Sequence, residues 1–300
     1  MLCVLVSLFI SNNFFAQITV FTDDFNTSAG TAFTTSNGAI GSSSNWNLTR
    51  SGADFAGKIN SGILTLTNDS GGTANTSGWV MASTNTASFD TPYNTILASN
   101  PGIVTWTFNM RQINTNPSGF GTSGTGAAFI LAGTAGTTNV VGSGYAVVLG
   151  NSGSADPIKL VRYTSGLRTA TTLITSNITG LTDFGQQYLS VKVTFSPSTN
   201  TWQLFVRNDG TTAFQNPASG VLVSQGTVIN NSSTAAPLQI MGAFWNVTYN
   251  YFSSANRTSF FDNVKVTVAV PEINSVSPSS KVAGTGTFTI TLNGSNFVNG

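Results

Sequence analysis

The sequence predicts an all-β fold of two stacked antiparallel sheets, a jelly-roll sandwich, and three observations predict it. Past residue 17, apolar residues recur with period two in short runs rich in β-branched and aromatic side chains. Clusters of Gly, Ser, Asn and Thr separate those runs, for example Ser36-Asn37-Gly38, Ser152-Gly153-Ser154 and Asn208-Asp209-Gly210. No window carries a convincing helical stripe. Alternate residues of a strand face opposite sides of its sheet. Antiparallel strands with one apolar face each need a second sheet to cover them.

The elements follow in chain order. Residues 1–17 read as a signal peptide: Leu2 to Phe15 is an apolar run, and the small residue Ala16 precedes Gln17 at the expected cleavage point. Ser11-Asn12-Asn13 interrupts that run, and a membrane span needs ~20 apolar residues, so no membrane insertion is expected after cleavage. The expected location is extracellular or on the outer cell surface. Cys3 is the only cysteine and lies in the leader, so no disulfide is expected in the mature chain. Strands are expected at 18–25, 62–68, 78–83, 102–112, 126–132, 144–150, 158–164, 188–195, 201–208, 238–245 and 259–268.

The run 102–112 shows the pattern best. Val104, Trp106, Phe108 and Met110 point one way, and Thr105, Thr107, Asn109 and Arg111 the other. In 188–195, Leu189, Val191, Val193 and Phe195 are expected inward and Ser190, Lys192 and Thr194 outward. A short turn containing Pro197 joins 188–195 to 201–208 as a hairpin. The sandwich is expected to fill residues 18–270. At Val270-Pro271-Glu272-Ile273 the texture changes, because Pro blocks strand continuation, and residues 271–300 form a separate tail.

Composition excludes several functions. Charged residues make up 7% of the chain, against a usual ~25%, so Thr, Ser, Asn and Gly must build the polar surface. Disorder would require low hydrophobicity and high net charge, whereas this chain is 40% hydrophobic with a net charge of +1. Nucleic-acid binding needs a basic patch to neutralise phosphates, and the sequence has none. There is no histidine and no cysteine beyond Cys3. Ser-His-Asp and Cys-His nucleophiles and His/Cys zinc sites are therefore excluded. The Gly-rich stretches 119–126 and 133–144 have no lysine and no following helix, so they read as turns and not phosphate cradles. Sequons such as Asn47-Leu48-Thr49 and Asn177-Ile178-Thr179 are acceptors only in a glycosylating host.

The ligand candidates are rings and amides, since rings stack on the C–H faces of sugars while amides and guanidinium groups bind hydroxyls. The stretch 243–251 is rich in both, and Trp245, Asn246 and Tyr249 are its candidates. Asn109, Arg111, Arg162, Tyr163, Gln203 and Arg207 are expected to add to a concave face. Asp23, Asp24 and Asp262 are the metal candidates: first and last strands often lie side by side in sandwiches, and calcium takes hard oxygen ligands.

Two resemblances follow. The tail, with Ile273-Asn274-Ser275-Val276-Ser277-Pro278-Ser279, the turn Gly284-Thr285-Gly286, the run 288–291 and Gly294-Ser295-Asn296-Phe297, resembles the opening of an IPT/TIG domain, an immunoglobulin-like module. Residues 18–268 resemble the concanavalin A-like (laminin-G-like) sandwich of secreted bacterial proteins. That likeness rests on Phe21-Thr22-Asp23-Asp24-Phe25, the runs 144–150 and 158–163, Trp202-x-Leu204 and Phe261-Asp262-Asn263-Val264-Lys265-Val266. It implies glycan binding, protein binding or polysaccharide hydrolysis, and a structural calcium in related sandwiches. The hydrolases of that fold use paired glutamates spaced Glu-x-Asp-x-x-Glu, and this chain has only Glu272. The expectation is a non-catalytic binding or adhesion module for glycan, matrix or a cell-surface polymer. The alternatives are part of a secreted polysaccharide-active enzyme, or a structural stalk without ligand.

Overall fold

The computed structural model describes residues 17–27, 29–71, 77–120, 124–248, 258–280 and 287–295. In chain order its strands are β1 (Gln17–Asp23), β2 (Gly38–Ala39), β3 (Asn47–Ser51), β4 (Ala56–Asn60), β5 (Ile63–Thr67), β6 (Gly78–Asn85), β7 (Val104–Gln112), β8 (Thr125–Gly133) and β9 (Gly144–Leu149). They continue with β10 (Ile158–Tyr163), β11 (Thr171–Thr175), β12 (Tyr188–Ser196), β13 (Thr201–Gly210), β14 (Val223–Ile229), β15 (Ile240–Val247), β16 (Thr258–Ala269), β17 (Glu272–Ser277) and β18 (Thr291–Ser295). No helix among the described residues is long and apolar enough to cross a membrane.

Two eight-stranded antiparallel sheets face each other. The first runs β14-β13-β12-β7-β16-β5-β4, with β1 also on β16, and the second runs β11-β10-β9-β8-β15-β6-β3-β2. The expected all-β jelly-roll sandwich is the observed fold, and the eleven expected strands are all present. The strands of the two large sheets that sequence periodicity misses are β2, β3, β4, β11 and β14. Four of these are the outer edges of the two sheets, and β3 is next to an edge. An edge strand buries less of its length, so it needs less apolar alternation.

The core lies between the sheets. Val104, Trp106, Phe108 and Met110 of β7 enter it, as do Leu189, Val191, Val193 and Phe195 of β12. Trp202 of β13 anchors one end, with its ring stacked 5.9 Å from Trp106 and 4.2 Å from Tyr145 and tilted 4.6 Å from Phe195. Aromatic pairs in this range add to the stabilisation from area burial. The β12–β13 hairpin turns through Asn200, whose φ of 52° is a left-handed conformation that Asn tolerates.

One expectation about faces is corrected. The second sheet does not have a polar outer face over its centre, because every residue of β8 and β9 is buried. Their outer side chains form a second apolar cluster with Phe120 and Leu167 from flanking loops: Ala128, Ile130, Ala146 and Val148 meet Val161, Tyr163 and Phe244. The cause is legible in the unbroken apolar runs 127–132 and 145–149, since a strand covered on both faces loses its polar alternation.

The expected first–last pairing is present, with β1 antiparallel to β16 from Gln17↔Ala269 to Asp23↔Val264. The leader expected at 1–17 lies outside the described residues except for Gln17. In the tail, β17 and β18 pair antiparallel as a two-stranded sheet of their own.

Candidate functional site

The outer face of the first sheet carries a groove. Strand register arranges its side chains in cross-strand rows. Thr267, Thr105, Thr194 and Gln203 form one row, and Lys265, Thr107, Lys192 and Phe205 the next. Asp262, Asn109, Ser190 and Arg207 form the third, and Phe260 and Arg111 begin a fourth. Asp262 and Lys265 are three residues apart, yet both belong to outer-face rows, because β16 bulges between them. Asn263 sits in that bulge with φ 50°, and Phe261 and Val264 turn inward on either side of it.

The third row is a buried polar knot. Arg207 Nε donates to Asp209 Oδ1 at 2.6 Å, and its terminal nitrogens donate to Ser190 Oγ (2.9 Å), Asn216 O (3.2 Å) and Ser219 O. Ser190 Oγ donates to Asp209 Oδ2 at 2.7 Å, which also accepts the Gln215 N–H at 3.2 Å. Asn109 Nδ2 lies 3.0 Å from Gln215 O and 3.1 Å from Leu189 O, and its Oδ1 accepts from Asn263 Nδ2 at 2.8 Å. The Asp209 side chain is fully buried, and a buried carboxylate is tolerable only when paired and hydrogen-bonded like this. Four of these partners belong to the segment between β13 and β14, so the knot straps residues 211–222 across the outer face.

That strap walls a groove of about 520 Å³. Its floor is Thr105, Thr107, Lys192, Thr194, Gln203 and Phe205, with Lys265 and Thr267 to one side and Pro217, Ala218, Gly220, Val221 and Leu222 as the wall. Lys192 lies over the Phe205 ring, 4.0 Å from its centroid. Burial holds its ammonium below the usual lysine pKa. Thr194 Oγ1 and Gln203 Oε1 are 3.4 Å apart, so the hydroxyls and amide of the floor still have capacity for a ligand.

Beyond the knot, the Arg111 guanidinium sits 4.4 Å from the Tyr188 ring centroid and 5.5 Å from that of Phe260, and Tyr188 meets Phe214 edge-on at 4.7 Å. Arg111 Nε donates to Gln186 O at 2.8 Å. These half-buried rings form a strip on the same face as the groove, with the row of the polar knot between them.

The expected ligand residues divide between the two sheets. Gln203 lines the groove and Arg111 the ring strip. Asn109 and Arg207 share their face but are corrected to anchoring roles, since their polar atoms are engaged inside the knot. The other described candidates lie on the second sheet. Trp245 is fully buried in the inter-sheet core. Tyr163 is buried in the second apolar cluster, its hydroxyl 3.3 Å from Thr137 Oγ1 and its pKa raised by burial. Asn246 is buried and accepts from Asn139 Nδ2 at 3.1 Å. Arg162 is half-buried on β10, and its charge bears on the Tyr145 hydroxyl. These four do not join the groove, and Tyr249 lies outside the described residues. Sequence reading did not single out Lys192 and Lys265 as ligand candidates; period two marks Lys192 as outward, and only the bulge brings Lys265 onto the same row.

The three metal candidates lie around the C-terminal end of β1, beside the middle of β16, and Asp262 feels the charges of the other two. Burial pushes the Asp262 carboxyl up to about 6, and the charges of Asp24 and Asp23 push the same way. Their oxygens nonetheless cap turns. Asp23 accepts from the Phe25 N–H and the Trp46 Nε1–H, each at 2.8 Å, and Asp24 accepts from the Asn26 backbone and side chain. Asp262 Oδ1 accepts from the Asn263 N–H at 2.6 Å. Among the described residues, no group of three or more acidic, His or Cys side chains gathers closely enough to hold a metal ion. Elsewhere, burial first and then the Asp183 charge push Asp156 up to about 6, while its Oδ1 accepts the Asn151 N–H at 3.0 Å.

No family model matches the chain, and no curated protein matches it. Among solved structures, basic winged bean lectin with Tn-antigen is similar over 86% of this chain and 100% of its own, with a TM-score of 0.51 and 13% identity. At that identity the likeness speaks for the fold alone. Peanut lectin with a nine-residue peptide (TM-score 0.45, 14% identity, 85% of this chain and 99% of its own) overlaps too loosely to carry weight. Lectin II from Ulex europaeus (TM-score 0.45, 12% identity, 78% and 96%) is equally loose. The chain thus has the two-sheet jelly-roll sandwich also found in the winged bean lectin.

This geometry makes three predictions. Asp209→Ala is expected to destabilise the fold by about 3–5 kcal/mol, the scale for orphaning one partner of a buried pair, and to speed hydrogen exchange across 211–222. Unchanged exchange there would contradict the strap. For Asp262, the folded-state pKa lies above the ~3.9 of an unfolded Asp, so the folded state binds this proton first and stability falls as pH rises from about 4 through 6. Asp262→Asn is expected to raise Tm by roughly 1–3 °C at pH 8 and leave it unchanged at pH 4. An equal effect at both pH values contradicts this origin. The same scan with calcium and with EDTA tests the metal expectation. Capped turns predict no shift with either, whereas a rise with calcium and a fall with EDTA would establish the site.

Proposed function

We propose that this chain is a non-catalytic, extracellular glycan-binding module whose ligand seats in the groove on the outer face of the first sheet. The observation that carries the reading is the groove: about 520 Å³ of open space over a floor of Thr105, Thr107, Thr194 and Gln203. Such a floor is built for hydroxyl recognition. Its polar groups stand on strands whose opposite faces are locked in the core, so they are held in fixed relative positions before a ligand arrives. The Phe205 ring and the exposed Val221 side chain, 81% accessible, supply apolar surface for the C–H faces of a sugar. The winged bean lectin of the same fold was solved with Tn-antigen, a precedent for the fold class and not for this groove.

Two further observations support the wider reading. The absence of histidine and the single Glu272, exposed on β17, speak against a paired-glutamate hydrolase. The leader at 1–17 favours export, and the IPT/TIG-like tail favours a place among the spacer modules of a surface protein that adheres to matrix or cell-surface polymer.

The competing reading, an Asp-based polysaccharide-active enzyme, has one observation in its favour, the raised Asp156 beside Asp183. Asp156 is fully buried, however, and closes the 151–156 loop. Reducing-sugar release from a polysaccharide panel separates the two readings.

The test is affinity electrophoresis of the whole chain in gels containing a broad panel of neutral and charged polysaccharides. Retardation by at least one is expected. Gln203→Ala should weaken it by about three- to tenfold, the scale of one lost hydrogen bond. Arg162→Ala, on the other sheet, should not change it. Failure to bind any glycan overturns the reading.

A further inference from the structure

The groove is polar, but it is not electrically neutral. Two of its lining residues are lysines and none is acidic. Lys265 and Lys192 pair with the same residue, Thr107, from its two sides. Their backbones therefore stand about two strand spacings apart, ~9.6 Å, with Thr107 between them. Neither has a carboxylate within ion-pair distance; among the described residues the one such pair is Arg207–Asp209. The acidic positions on this face, Asp262 one row away and Asp209 beyond it, are engaged. Asp209 is bound to Arg207 and Ser190, and Asp262 accepts the Asn263 N–H.

Two uncompensated ammonium groups in one groove are unusual in a chain with so few charges and a net charge of only +1. A half-buried ammonium over a ring face retains part of its attraction for an anion, because that contact neutralises none of its charge. Lys192 is held in this way over Phe205, and burial already disfavours its charged form. An incoming anion would offset that cost, which a neutral sugar cannot do.

We infer that the groove takes an acidic glycan, one whose ring substituents include carboxylate or sulfate groups, with Lys192 and Lys265 binding the anionic groups on either side of Thr107. The inference rests on the glycan reading above and names its ligand class. Hydroxyls of the same saccharide fall to Thr105, Thr194 and Gln203. An ammonium is a compact point charge without the planar fork of arginine, so the pair sets charge and spacing and does not select carboxylate over sulfate.

The experiment compares the whole chain with Lys192→Gln, Lys265→Gln, the double variant and Lys159→Gln, a lysine of the second sheet, each checked for fold by circular dichroism. Probes are a polyuronate, a sulfated dextran and a neutral dextran, measured by calorimetry at two salt concentrations. Expected are binding of at least one acidic probe well above the neutral one, weakening with added salt, and a loss of roughly tenfold for each groove lysine. Lys159→Gln should bind as the unmodified chain does. Preference between the polyuronate and the sulfated dextran identifies the source of the anionic group.

Three results overturn the inference. Neutral dextran binding as tightly as the acidic probes, with the double variant unaffected, leaves the glycan reading intact and removes the charge. Equal loss from Lys159→Gln shows diffuse attraction and no site. Binding of none of the panel polysaccharides removes the glycan reading and the inference with it.

Discussion

The contact on which the outer face depends is the pairing of Arg207 with Asp209, at 2.6 Å. It joins two residues of one strand, but its remaining bonds reach across three elements. Ser190 on β12, Asn109 on β7 and the carbonyls of Gln215, Asn216 and Ser219 all close on it. A buried carboxylate with several donors is stable where it sits and expensive to disturb. Because those carbonyls and the Gln215 N–H belong to the strap, the bonds that Arg207 and Asn109 donate to the carbonyls, and the one that Asp209 accepts from Gln215, place the wall of the groove. Without them, the Thr and Lys rows would form a flat, open sheet face.

The rest of the face follows from strand periodicity. Thr105, Lys192 and Gln203 each have a core residue on either side in sequence, so the packing around Trp202 and Phe108 fixes their row positions. The bulge at Asn263 makes one adjustment. It shifts β16 by one residue, so that Lys265 and Asp262 both join the outer-face rows, and Asn263 itself bonds Asn109. Core packing, bulge and knot together produce a preformed groove, and a preformed groove costs little ordering when a ligand binds.

Much of this was legible in sequence where the pattern was local. The alternation of β7 and β12 showed which side chains face the core, and Gln203 and Arg111 do stand on the outer face. The run Ala243-Phe244-Trp245-Asn246-Val247, in contrast, has apolar residues at both parities, and that ambiguity hid the inward orientation of Trp245. Tyr163 faces outward from its sheet, as its parity implies, but loops bury it, and loop packing has no periodic signal. Asn109 and Arg207 were correctly placed and misassigned in role. Their partners in the knot, Ser190, Asp209 and Gln215, lie up to 106 residues away along the chain, beyond any pattern read in a short window. The edge strands β4, β11 and β14 were missed for a related reason, since their burial depends on neighbours and not on their own alternation.

The central claim is the location of the ligand. Backbone amide chemical-shift mapping on the isotopically labelled chain, titrated with an oligosaccharide that binds, tests it most directly. Shifts concentrated on β7, β12 and β13 around Thr105, Thr107, Lys192 and Gln203, together with 217–222, are the predicted result. Shifts confined to the second sheet or its covering loops, with the first sheet silent, would contradict the account.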